Sequence, residues 1–242
     1  MQILWLGHGS FRYAIGGKVL LVDPWLTGNP MLPADKHDEA IEGATHILLT
    51  HAHFDHVADV LPLAKQLKIP VVGQYDLMTH WEATEGIKTI GFNKGGTIDL
   101  GNLRVTMVHA VHSSSFGTDT GPNVPGSECG FVIEGEGHSI YHSGDTEVMA
   151  DMQIIHDLHS PDIGVLSAGG HFTMDMRRVA YAAKKFFKFK TLIPGHYRTF
   201  PILEQSADLL VRELPEVAVI EPEVLEPLRL TYSSPAYALS HY

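Results

Sequence analysis

Short runs of aliphatic, aromatic and β-branched residues occupy positions 2–6, 10–15 and 18–22, separated by turn residues, with Gly16-Gly17 between the last two. That pattern predicts three strands in a β-meander, the second and third joined by a tight hairpin. Asp23-Pro24-Trp25 ends the third strand, and 27–38, carrying Gly28, Pro30 and Pro33, reads as a surface loop. An apolar strand at 46–49, a histidine-rich turn, a helical pattern over 57–67 and a strand at 70–73 make a βαβ unit. A helix over 75–84 then leads into strands at 88–92, 97–100, 103–110, 129–134 and 139–142. Beyond Glu147 helices at 147–158, 176–187 and 203–214 alternate with strands at 162–166, 191–194 and 217–220. Two β-then-α halves predict an α/β protein with two facing sheets and helices outside, as one layered domain over residues 1–230. Residues 231–242 form a short tail that either docks or frays, and that could pack on another subunit of a homo-oligomer.

Composition narrows the class. With 242 residues, 44% hydrophobic and 19% charged, the chain can build one sizeable core and is not a disordered polymer. Seventeen Lys and Arg against 28 Asp and Glu give a net charge of −11, which repels phosphate backbones and disfavours nucleic acid as a partner. The single cysteine, Cys129, excludes an internal disulfide and a zinc site built on several thiolates. No apolar run approaches the roughly 20 residues that cross a bilayer, and residues 1–6 carry no basic leader. These features predict a cytoplasmic protein that does not enter a membrane and acts on a small-molecule substrate. Sixteen histidines beside one cysteine direct attention to where the histidines sit.

The sharpest cluster is Thr50-His51-Ala52-His53-Phe54-Asp55-His56, directly after an apolar strand. In extended chain His51 and His53 point to the same side and can share one metal ion. Asp55 and His56, if they begin the following helix, diverge by about 100° and can address a second ion. A chance grouping in a His-rich chain is the competing explanation, but ligand crevices of α/β sheets form where this one lies, at the C-terminal end of a strand.

Together with Asp145 in His142-Ser143-Gly144-Asp145-Thr146 and His196 in Ile193-Pro194-Gly195-His196-Tyr197, this motif resembles the metallo-β-lactamase superfamily of binuclear metal hydrolases. The resemblance spans about residues 1–221. Trp5-Leu6-Gly7-His8-Gly9-Ser10 and Asp23-Pro24-Trp25 are similar to its L-ascorbate-6-phosphate-lactonase-like branch. The resemblance implies a four-layer αββα sandwich. It also implies two divalent ions: His51, His53 and a histidine near 105–113 on one, Asp55, His56 and His196 on the other, and Asp145 bridging. Zinc suits such ligands, with manganese or iron as alternatives. Two histidines compete for the third place on the first ion. His109 and His112 lie on opposite faces if the strand continues, and the family's His-Ser pair matches His112-Ser113, which favours His112.

Other residues carry two readings each. Asp145 alone would pass for a helix N-cap, and His196 for an ordinary loop residue. His8, in a Gly-flanked turn, is expected to line the pocket or support a ligand. Asp23 is expected to orient a ligand histidine through its ring N–H, or else simply to cap a turn. His171, after Gly169-Gly170, is a candidate substrate contact, and Tyr197 a candidate donor to a developing oxyanion, with a packing role as its alternative. Residues 113–128 show no periodicity and read as a lid bordering the site, or as a disordered surface insertion.

The expected activity is hydrolysis of a small ester, lactone or phosphoester by hydroxide held between two ions, with Asp55 orienting that water and handling its proton. Alternatives are a nuclease of the same superfamily and a di-iron oxidoreductase. The acidic balance and the lack of a Lys/Arg-rich module weigh against the first, and the lack of a flavin-binding segment against the second.

Overall fold

A computed structural model describes residues 1–118, 121–123 and 126–228, without the side chains of 116–118 and 121–123, so the expected tail at 231–242 lies outside the described residues. The first sheet follows chain order: β1 (Gln2–Trp5), β2 (Phe11–Ile15), β3 (Lys18–Val22), β4 (His46–Leu48), β5 (Val71–Gln74) and β6 (Thr89–Phe92). Its first three strands are antiparallel, and β4 to β6 run parallel to β3. After β7 (Thr97–Asp99) and β8 (Leu103–His109), β9 (Phe116–Thr118) and β10 (Gly121–Asn123) form a separate antiparallel two-stranded sheet. The second sheet then adds β11 (Cys129–Gly135), β12 (His138–His142), β13 (Ile163–Ser167), β14 (Thr191–Gly195) and β15 (Ala218–Val219), in the order β15-β14-β13-β12-β11-β8-β7. Here too the sheet is mixed, antiparallel from β7 to β12 and parallel from β12 to β15.

Alternation along the strands explains the layers. In the first sheet Ile3, Trp5, Leu20, Val22, Leu48 and Val72 join a core cluster shared with the second sheet. Their neighbours Leu4, Leu21, Ile47, Leu49 and Val71 join a separate cluster with α3 (Val60–Leu67) and α4 (Tyr75–Glu85), on the opposite face. Both faces are apolar because both are covered, as parallel strands of an α/β protein require. The second sheet is covered by α5 (Asp151–His159), α6 (Met176–Phe186) and α7 (Asp208–Glu213) through Met152, Ile155, Val179, Ala183 and Leu210. The result is the expected α/β sandwich of two mixed sheets with helices outside.

Several boundaries differ from the pattern-based expectations. The proposed loop at 27–38 ends in a 3₁₀ turn, Ala34–Lys36, and α1 (His37–Ile41), whose apolar anchors Ala40 and Ile41 lie too close to its end to display a period. The single helix expected over 57–67 is split: α2 (Phe54–Val57) precedes α3, because residues 58–59 leave the helix where Asp59 accepts bonds from Leu26 N and Thr27 N. The helix expected from 147 begins at Asp151, and the one expected over 203–214 is reduced to Asp208–Glu213. Residues 113–128, expected as loop or disordered insertion, carry the β9–β10 ribbon.

The sheets are also joined by polar contacts. Buried Tyr13 on β2 donates its hydroxyl to His142 Nδ1 on β12, at 2.8 Å. Burial pushes the Tyr13 phenol well up and pulls the His142 imidazole down to about 4, so donor and neutral acceptor persist together. Past β15 the chain returns to the first sheet, where Leu225 N bonds Trp5 O at 2.9 Å and Leu228 N bonds Ile3 O at 3.0 Å, covering the β1 edge. Among the described residues no helix is long and apolar enough to cross a membrane.

Removing the hydroxyl leaves His142 Nδ1 buried and unsatisfied, so Tyr13→Phe is expected to lower stability by about 1–3 kcal/mol. Denaturant unfolding of the two proteins checks this, and equal midpoints would mean the pair contributes nothing.

Candidate metal centre

Strand direction gathers the site. β1, β3 and β4 point the same way in the first sheet, since β1 and β3 both oppose β2 and β4 runs with β3. β8, β12 and β14 likewise share one direction in the second. The segments leaving their C-terminal ends carry His8, Asp23, the His51 to His56 turn, His112, Asp145 and His196 to one edge of the sandwich. Several of these residues occupy strained backbone. His8, Asp23 and His196 have φ of 53°, 48° and 56°, in a left-handed region that costs a non-glycine residue roughly 1–3 kcal/mol. Two glycines are required by close approach: a Cβ on Gly9 would lie 2.8 Å from His56 Cε1, and one on Gly169 only 2.1 Å from the His196 carbonyl.

Asp145 is the centre of the cluster. Its Oδ2 lies 3.1 Å from His196 Nε2, 3.3 Å from His56 Nε2, 3.6 Å from His112 Nε2 and 3.8 Å from His51 Nε2. It is no helix cap, because α5 starts six residues later behind Ala150. Two candidate ligand groups flank it. His51, His53 and His112 bring ring nitrogens within 4.8 Å of one another, and an Asp55 carboxylate oxygen lies equally close to ring nitrogens of His56, His196 and His8.

The outer nitrogens of His51 and His56 are held from behind. Asp23, fully buried, accepts from Thr50 N (2.7 Å) and from His56 Nδ1 (2.8 Å). It also accepts from the Thr50 hydroxyl (2.5 Å), which in turn accepts from His51 Nδ1 at 3.0 Å. One carboxylate therefore orients two rings, directly and through Thr50, and turns both Nε2 atoms inward. His8 plays a different part, with both nitrogens engaged: Nε2 to Asp55 Oδ2 and Nδ1 to Thr199 Oγ1, each at 2.8 Å.

The charges divide the two groups. Burial lowers His51 well below the ordinary histidine range and lowers His53 and His112 in the same direction, which favours neutral rings; His51 Nε2 and His53 Nδ1 lie 3.0 Å apart and share a hydrogen bond. His8 falls to about 4, mainly by burial and then by the nearby His196. Burial also opposes charge on His56 and His196, yet the surrounding carboxylates, Asp145 foremost, raise His56 well above its usual value and His196 to about 9. Burial would raise Asp55 and Asp145, and the histidines beside them hold both well below the carboxylate range instead. Buried carboxylates that recruit protons onto neighbouring imidazoles are a site that calls for positive charge, which a divalent cation supplies by displacing those protons. His56 Nε2 supports the same reading: it is buried and faces the cluster 3.3 Å from Asp145 Oδ2, yet makes no well-aligned hydrogen bond.

The chain compares closely with known proteins. Residues 18–197 match the family described as Beta-lactamase superfamily domain. A UPF0173 metal-dependent hydrolase of Ruegeria pomeroyi is 64% identical over 95% of this chain and 100% of its own, and one of Dinoroseobacter shibae is 61% identical with the same coverage. The chain belongs to the UPF0173 metal-dependent hydrolases of the β-lactamase superfamily. Igni18, a metallo hydrolase of the archaeon Ignicoccus hospitalis, superposes with a TM-score of 0.83 at 27% identity, covering 96% of this chain and 98% of that one.

In this metal-dependent hydrolase the competition between His109 and His112 has a clear geometric outcome. His109 is exposed and pairs with Asp151 Oδ2 at 2.7 Å, away from the cluster, whereas His112 faces Asp145. Two candidate substrate contacts lie away from the cluster. Tyr197 is fully buried, stacked on Trp5 at 5.6 Å, with its phenol pushed up to about 12, so it packs the core rather than facing a reaction. His171 is exposed beside Asp175 and Glu204 in a separate depression, because Gly169-Gly170 turns the loop outward there, and its neighbour Phe172 reaches the site instead.

A cavity of about 740 Å³ opens over the cluster, and His8, His53, Asp55, His112, Asp145 and His196 line it. Sequence reasoning missed Thr50, which links Asp23 to His51, and Thr199, which bonds His8, and the apolar residues Phe54, Phe200 and Ile202 that border the cavity. Phe54 stood in plain view inside the histidine motif; the other two carry no local signal.

Asp23→Asn keeps the shape but weakens the hold on both His51 and His56. It is expected to lower divalent-metal affinity by about 10–100-fold, measured by competition with a chromogenic chelator; unchanged affinity would mean that Asp23 does not orient these rings for a metal.

Proposed function

We propose that the protein binds two divalent ions, zinc first with manganese or iron as alternatives, and hydrolyses a small ester, lactone or phosphoester. His51, His53 and His112 would hold one ion, and Asp55, His56 and His196 the other, with Asp145 between them. The position of Asp145 Oδ2, within 3.8 Å of ring nitrogens from both groups, is the observation that carries the reading. Ions bound there supply an activated water near neutral pH and a Lewis acid for the substrate oxygen.

The protein's own groups do the rest. Asp55 borders the cavity and its Oδ2 is fixed by His8 at 2.8 Å. Because its neighbours hold it well below the usual carboxylate range, Asp55 stays ionised, which suits it to orient a water by accepting its hydrogen bond. His8 fixes the angle of that carboxylate, and Thr199 fixes His8. No side-chain nucleophile is needed, in keeping with the buried, strongly raised thiol of Cys129.

Elemental analysis of protein purified without added metal, then after reconstitution with Zn²⁺, Mn²⁺ or Fe²⁺, is expected to approach two ions per chain. Chelator should abolish turnover of a generic lactone or phosphodiester, whereas less than one ion after reconstitution would overturn the two-ion reading. His112→Ala is expected to lose one ion and more than about 100-fold in metal affinity, since loss of a mere supporting partner already costs 10–100-fold. His109→Ala, on the surface beside Asp151, should retain both ions; the reverse result would exchange the two histidines.

A further inference from the structure

The cavity over the histidine and carboxylate cluster has two unlike parts. Its floor is polar, and its walls are Phe54 and Val57 from α2, Phe172 from the loop after β13, and Phe200 and Ile202 from the segment after β14. Three of these side chains are left largely in solvent, Phe54 at 63%, Phe172 at 56% and Ile202 at 59% of full exposure. Exposed large apolar residues that are scattered singly need no explanation, but three from separate elements meeting at one mouth mark a binding surface. The wall is also supported from behind. Trp25 meets Phe54 edge-on at 5.6 Å and lies 6.1 Å from Phe200, and Phe200 in turn contacts the His8 ring at 5.7 Å. The aromatic surface is thus continuous with the floor through His8.

Charge tells the same story. Among the described residues lining this cavity there is no Lys or Arg. Ser113 and Ser115, which follow His112 along the cavity, add hydroxyls but no charge. An anionic group on the substrate, away from the scissile bond, would therefore be desolvated without a counter-charge, in a chain whose net charge is already −11. Apolar walls with a few convergent polar groups at one end are how small-molecule sites orient an uncharged ligand.

We infer that the part of the substrate not undergoing reaction is uncharged and apolar, an aryl or branched alkyl group held by Phe54, Phe172 and Ile202, so that the preferred substrate is a neutral ester or lactone and not a sugar phosphate or a polynucleotide. This rests on the hydrolytic function proposed for the same site. In the reaction water oxygen bonds the acyl carbon, the acyl C–O bond breaks, and one water proton ends on the leaving oxygen, giving an acid and an alcohol.

Two activated esters with one leaving group test the inference: 4-nitrophenyl butyrate, which is neutral, and 4-nitrophenyl hemisuccinate, whose acyl chain ends in a carboxylate. Metal-loaded protein is expected to favour the butyrate by at least about ten-fold in kcat/KM. Phe54→Ser and Phe172→Ser, both at exposed positions, should reduce that preference through a KM raised about ten-fold, and Ile202→Lys should shift it toward the hemisuccinate. N-phenylbutanamide, a neutral analogue resistant to hydrolysis, adds a binding readout by calorimetry: wild type should bind it more tightly than its succinamate counterpart, and Phe54→Ser should lose the difference. Equal or better turnover of the hemisuccinate, or serine variants with wild-type preference and wild-type amide binding, would overturn the inference while leaving hydrolysis intact. No turnover of either ester, with amide binding that depends on Phe54, would count against hydrolysis and still support a neutral apolar ligand.

Discussion

Negative charge taken out of water is the constraint around which this molecule is organised. Asp23 and Asp145 are buried and Asp55 nearly so, and an unpaired ion in such surroundings costs several kcal/mol. Each is answered by imidazole: Asp23 by His56, Asp55 by His8 and His196, and Asp145 by four rings at once. Histidines from several strand ends meet one carboxylate oxygen, so the cluster depends on the sandwich holding its strand directions and sharp turns in place. The same electrostatics makes the cluster receptive to divalent cations, since protons on His56 and His196 already occupy the role that a metal charge would take.

Rigidity comes from both faces of the sheets being covered. The core shared between the sheets and the separate core beneath α3 and α4 immobilise the ends of β3 and β4, while α5 to α7 do so for β12 and β14. With those ends fixed, His8, Asp23 and His196 can be held in left-handed backbone whose cost the packed surroundings absorb. Gly9 and Gly169 complete the arrangement by letting backbone approach His56 and His196 more closely than any Cβ would allow.

Polar and apolar duties are separated in space. The strand ends supply charge and ring nitrogens at the floor, and the surface segments just beyond them, α2 and the loops after β13 and β14, supply Phe54, Phe172, Phe200 and Ile202 above it. Rigid floor and more exposed wall are the usual division in folds that carry one chemistry across many ligands, since loops vary without disturbing the scaffold. His8 joins the two parts, bonding Asp55 on one side and contacting the Phe200 ring on the other.

Much of this could be read from the chain because it is local. Three opening strands, the βαβ unit and the period-two exposure of His51 and His53 depend on neighbouring residues, and the histidine motif marks one strand end without any knowledge of the others. The membership of His112, Asp145 and His196 in the same cluster was expected only through resemblance to a family, because they are brought to His51 by pairings between distant strands. Helix boundaries at 54–67 and 147–159 went astray where a tertiary bond, such as Asp59 to Leu26 and Thr27, overrode a continuous apolar pattern. Tyr197 and His171 show the limit most plainly. Residue type and nearness to the motif suggested contact with substrate, but one ring turned into the core against Trp5 and the other out to solvent. By itself the sequence determined which chemical groups were available and which strand ends carried them. Which of those groups share a space was decided by tertiary structure, because a side chain's direction is set by packing and hydrogen bonds between elements far apart in the chain.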